Sequence, residues 1–117
     1  MDAIQFADSP IEHHTTRAEI FYREGRVTES IQEAKRAIIY AKGDRQKVVA
    51  LKIFIARAYA KLGQIEKSNE EYRKLFEDGV YLPSVLLGLM HNNLEIDKSE
   101  KAQKNVQLVK IFIGDQP

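Results

Sequence analysis

The chain has 117 residues, 44% apolar and 30% charged, with a formal net charge of +1. That size makes one domain with room for a real core. Cysteine is absent, which excludes disulfides, thiolate metal centres and a cysteine nucleophile, and points to a reducing compartment, the cytoplasm.

Residues 1–8 read as an N-terminal extension. The opening MDAIQFADSP is acidic and has no apolar core segment, so it does not resemble a signal peptide. The first helix opens at Ser9-Pro10-Ile11-Glu12, where Ser9 can cap, Pro10 suits the first turn and Glu12 can complete a capping box. It stops at Gly25. The second starts near Thr28, a good N-cap, carries Ile31, Ala34, Ala37, Ile38 and Ala41 at helical spacing, and ends before Gly43. Asp44 caps the third, which runs to Leu62. Its apolar residues occupy most of its circumference, so it is expected to be buried in the middle of the fold. Lys52, Arg57 and Lys61 interrupt it, so membrane insertion is not expected. The fourth covers about Glu66 to Asp78, with Tyr72, Leu75 and Phe76 inward. Pro83 opens the fifth. Asp97 with Glu100 forms a second capping-box pair, which predicts a separate sixth helix through Ala102, Val106, Val109 and Ile113. Residues 114–117 are a tail. No strand pattern competes with these helices.

Charge is segregated along the chain. Residues 34–61 hold eight basic residues against one acidic, whereas 1–33 and 62–100 each sum to −4. A basic middle between acidic flanks can attract an acidic partner; it is equally what solvated helix faces of differing sign look like.

The sequence also repeats. Ala18, Phe21, Gly25, Val27, Ser30, Ala34 and Ala37 return 38 residues later as Ala56, Tyr59, Gly63, Ile65, Ser68, Tyr72 and Leu75. Such a period marks stacked supersecondary units that cannot bury their apolar faces alone. Small residues at Ala18, Ala56, Ser30 and Ser68 allow close helix approach, and the aromatic fills the space beside them. The excess over a 34-residue period implies about one extra helical turn near residues 43–48.

This pattern resembles the tetratricopeptide repeat (TPR) family. The resemblance covers about residues 11–113, within a repeat domain of 9–113 that reads as units of about 11–43, 44–80 and 83–113. The third is degenerate, with Asn93 at an aromatic slot, and the family's tryptophan and C-terminal proline are missing. It implies an all-α, right-handed superhelix of three antiparallel helix pairs. It also implies a non-catalytic module that docks a peptide or partner-protein segment, an acidic one included, as scaffold, adaptor or assembly factor. By resemblance, the groove falls to Glu12, Thr15, Glu19, Tyr22 and Arg23, then Ile53, Arg57 and Lys61, then Ser84, Leu87 and His91. The family's carboxylate clamp is not matched: its slots hold Thr15, Glu19, Phe54, Ser84 and Gly88.

The last helix is apolar around much of its surface, and no further helix is read after it in this sequence. Leu108, Ile111 and Phe112 are therefore a candidate association surface, for self-association, for a partner or for the rest of a longer parent protein. No P-loop, GxGxxG or GxSxG motif occurs, so no enzyme, cofactor or metal is expected. His13 and His14 diverge by about 100° on a helix, and His91 with Glu95 reads as a surface pair. The alternative function is an RNA-binding helical repeat acting through the 34–61 basic block. If the repeat alignment is right, Ala56→Leu overpacks a helix contact and lowers stability by about 1–3 kcal/mol in a urea titration.

Overall fold

The structure is a computed structural model that describes residues 9–113; the side chains of residues 102, 106 and 108–113 fall outside it, as do the extension and the tail. Five helices follow in order: α1 (Pro10–Arg23), α2 (Val27–Tyr40), α3 (Arg45–Lys61), α4 (Ile65–Glu77) and α5 (Pro83–Ile113). No strand occurs among the described residues. Each helix packs on its neighbour in sequence, and α5 also touches α3.

The predicted turns form where glycine permits them. Gly25 and Gly63 take φ +81° and +79°, a region open to glycine at little cost. After each, the chain closes α1 and α3 in the same way. Arg26 N–H donates to Phe21 C=O and Gly25 N–H to Tyr22 C=O; Gln64 and Gly63 repeat this with Tyr59 and Ala60. Both are Schellman endings, which satisfy carbonyls the helix would otherwise strand.

Starting signals fared unevenly. Asp44 caps α3 by accepting from Lys47 N–H at 3.2 Å. Ser9 stands at the N-cap of α1 without a side-chain hydrogen bond, and Thr28 lies inside α2, whose cap position is Arg26. The tight Gly25 reversal starts α2 two residues earlier than a Thr28 cap would require.

The larger correction concerns the third helix pair. Residues 83–113 form one 31-residue helix, not two. Each of the four reversals between helices contains a glycine at positive φ, and residues 89–113 contain neither glycine nor proline. The Asp97–Glu100 spacing is also the i,i+3 spacing of an exposed helix face, and Lys98 pairs there with Glu95 at 3.5 Å. The architecture is thus two helix hairpins followed by a long helix. Its first half packs on α4, where Val85 and Asn92 are buried; every described side chain from Asp97 onward is exposed.

Equivalent residues of the two hairpins do equivalent work. Ala18, Ser30, Ala34 and Ala37 are buried in the first, and Ala56, Ser68, Tyr72 and Leu75 in the second. Ser30 Oγ donates to Ala18 C=O at 2.6 Å, and Ser68 Oγ donates to Ala56 C=O at 2.6 Å. Such a hydrogen bond forms only where two helices nearly touch, which the small residues allow. Phe21 and Tyr59 are half-buried under cations: Arg26 lies 4.5 Å from the Phe21 centroid, and Lys35 and Lys67 lie 5.7 and 5.8 Å from that of Tyr59. At 17 residues α3 is three longer than α1, which accounts for most of the lengthened period. Phe76, expected inward, is exposed and meets Tyr81 edge-on at 5.0 Å.

The second hairpin adds a link. Asn92 Nδ2, buried on α5, donates to Ser68 Oγ at 2.9 Å, and thereby ties α5 to the α3–α4 pair. Ser30 has no such duty among the described contacts. Ser68→Ala therefore costs about 1–3 kcal/mol more than Ser30→Ala, because it strands a buried amide donor. Parallel urea titrations check this, and Ser68→Ala/Asn92→Leu should recover part of the difference.

Candidate functional site

Three helices, α1, α3 and α5, present side chains to one side of the array. A cleft of about 210 Å³ separates α1 from α3. Ile11, Ala18, Ala50, Leu51 and Phe54 make its apolar wall; Glu12, Thr15, Glu19 and Lys47 line it too. Lys47 Nζ lies 4.0 Å from a Glu12 carboxylate oxygen. A second cleft, about 330 Å³, lies between α3 and α5, lined by Tyr22, Arg57, Ala60, Lys61, Tyr72, Gly88, His91 and Asn92. The Tyr22 and Phe54 rings, 5.5 Å apart, stand between the two.

The second cleft is cationic. Arg57 and Lys61 are exposed side chains one helical turn apart on α3. Lys61 Nζ sits 5.7 Å from the Tyr22 ring centroid, within cation–π range. Burial pushes the Tyr72 phenol above its ordinary pKa, and the Arg57 charge opposes that rise. The phenol is therefore a neutral hydroxyl near two cations. Gly88 makes room for it: a Cβ there would overlap the Tyr72 ring.

Of the groove residues expected from the sequence, Glu12, Thr15 and Glu19 meet in the first cleft, and Tyr22, Arg57, Lys61 and His91 in the second. Ile53 lies elsewhere, in a space of about 570 Å³ with Val49, Val80, Tyr81 and Leu82. Arg23, Ser84 and Leu87 line none of these three spaces. Leu87 is 58% exposed, on a side of α5 turned away from Val85 and Asn92. The candidate association residues Leu108, Ile111 and Phe112 have side chains outside the described structure.

Sequence reading missed Phe54, Tyr72, Gly88 and Asn92 as site residues. Gly88 carried a signal, being the one glycine inside a described helix, where it costs helix stability unless a close approach needs it. Four of the eight basic residues of the 34–61 block have partners within the chain. Arg36 and Lys47 face Glu33 and Glu12, Lys35 donates to the Tyr59 hydroxyl, and Arg45 donates to Asp78 C=O.

A polar cluster outside the clefts was also missed. The Glu33 side chain is 3% exposed. It accepts from His14 Nδ1 at 2.6 Å and Arg36 at 2.7 Å, with Arg17 at 3.8 Å. The His14 ring stacks on Tyr40 at 5.5 Å. Burial pushes the Glu33 pKa up, but the His14 hydrogen bond and the Arg17 and Arg36 charges outweigh it and hold the carboxyl below its ordinary value.

No protein-family model, curated protein or solved structure matches the chain. None of the described helices is long and apolar enough to cross a membrane.

Glu33 gives a pH dependence of defined sign. Its folded pKa is depressed, so its contribution to stability is present above the unfolded value and lost as pH falls through the folded one. The stability gap between wild type and Glu33→Gln should thus be full near ~pH 7 and shrink below ~pH 4. Urea titrations across that range measure it, and a gap that widens in acid would contradict the assignment.

Proposed function

We propose that this chain is a TPR-like, right-handed helical array whose α1–α3–α5 side docks an extended segment of a partner protein, as a non-catalytic scaffold, adaptor or assembly factor. The observation that carries this reading is the second cleft. Tyr22, Arg57, Lys61 and His91 come from three helices far apart in sequence, and they line one space. The reading also uses the cysteine-free composition, which suits a reducing compartment such as the cytoplasm.

The chemistry of the trough describes the segment. An apolar side chain fits the wall at Ala18, Leu51 and Phe54, and a carboxylate fits Arg57 and Lys61. Leu51 and Arg57 are six residues apart on α3, a rise of about 9 Å, or about three residues of extended peptide. The favoured ligand is therefore an extended peptide with an aliphatic or aromatic anchor three residues from an Asp or Glu.

A displayed peptide library panned on the full chain should enrich that spacing. By fluorescence anisotropy, Arg57→Glu should weaken a selected peptide about tenfold or more. Arg73→Glu, on α4 and paired with Glu77, should leave it unchanged. Binders that lack the carboxylate, or that ignore Arg57→Glu, would overturn this reading.

A further inference from the structure

A second surface is built into α5 and does not depend on the groove. Leu87, Met90 and Leu94 are 58%, 56% and 53% exposed. They recur at alternating spacings of three and four, so they form a stripe, and it lies opposite the face that buries Val85 and Asn92. The same spacing continues through Asp97, Lys101 and Lys104, all exposed, and the sequence carries it on to Leu108 and Ile111. Had the chain turned at Asp97, the second half of this region could have folded back over the first. The uninterrupted helix forgoes that cover.

The stripe has a heptad's spacing with charges at its centre, and those charges choose among the ways two such helices can pair. In parallel pairing, Asp97 meets Asp97 and Lys101 meets Lys101, which repels at both places. With the antiparallel register slid by one heptad toward the start of the helix, Met90 and Leu87 face Lys101 and Lys104. Slid by one heptad the other way, Lys101 faces Lys104. Antiparallel pairing centred on residue 99 is different. There Asp97 faces Lys101 of the second copy, twice by symmetry, and Lys104 can lay its methylenes along Leu94. Leu87 and Met90 face positions 111 and 108, also apolar. The geometry points to a homodimer in which two copies of α5 lie antiparallel through the Leu87–Met90–Leu94 stripe, held in register by reciprocal Asp97–Lys101 pairs. A two-fold axis requires such a self-complementary surface, and here spacing and charge supply it together.

Sedimentation or light scattering of the full chain tests this. Wild type should be a dimer at about 100 µM, a concentration at which even a micromolar interface is occupied. Leu94→Glu should be a monomer with unchanged helix content by circular dichroism, since Leu94 is exposed in the single copy. Asp97→Lys and Lys101→Asp should each raise the dissociation constant about tenfold, and the double swap should return it to within about threefold of wild type. A wild-type monomer overturns the proposal, whether residues 97–113 fold back over the stripe or a different protein covers it. A dimer that survives Leu94→Glu, or charge variants that the double swap fails to rescue, overturns it as well.

Discussion

The close approach of paired helices is the constraint from which the rest follows. In each hairpin a serine on the second helix reaches the carbonyl of an alanine on the first at 2.6 Å, in equivalent positions 38 residues apart. A hydroxyl is too short to bridge helices at ordinary separation, so the residue it meets must be small: Ala18 in one hairpin, Ala56 in the other. Burying a hydroxyl is costly without a partner, so the same bond that needs the close approach also helps specify it.

That packing positions the trough. With α1 tight against α2 and α3 tight against α4, the outward faces of α1 and α3 open toward each other. The first hairpin leaves an apolar cleft; the second, joined by α5, leaves a cationic one. The asymmetry originates in the cores. The second hairpin puts Tyr72 where the first has Ala34, and the ring extends far enough to meet Gly88 on α5. The phenol and the Asn92 amide thus bring polar atoms to a floor where the first cleft has Leu51 and Phe54.

Element order and hairpin alignment were legible because they rest on local chemistry. Glycine at Gly25, Gly43, Gly63 and Gly79 marks each reversal, and recurring small residues mark each contact. The same logic misled at Asp97. A carboxylate three residues before a glutamate reads as a cap, yet without a glycine to reverse the chain it is only an exposed face. The Glu33 cluster was illegible for a different reason. Its partners His14 and Arg17 lie on another helix, and nothing in the spacing of Glu33 says which side chains the hairpin brings to it.

The sequence by itself determined an all-helical chain, its punctuation and the equivalence of its two hairpins, since propensity, periodicity and turn glycines act over a few residues. Tertiary structure decided which side chains share a space. It gathered Tyr22, Arg57, Lys61 and His91, sent Ile53 to a separate cleft, buried Glu33 among cations and left the α5 stripe uncovered. Those outcomes depend on how far and at what angle whole helices approach, and that is set by the summed volumes of their contacts and not by any single residue.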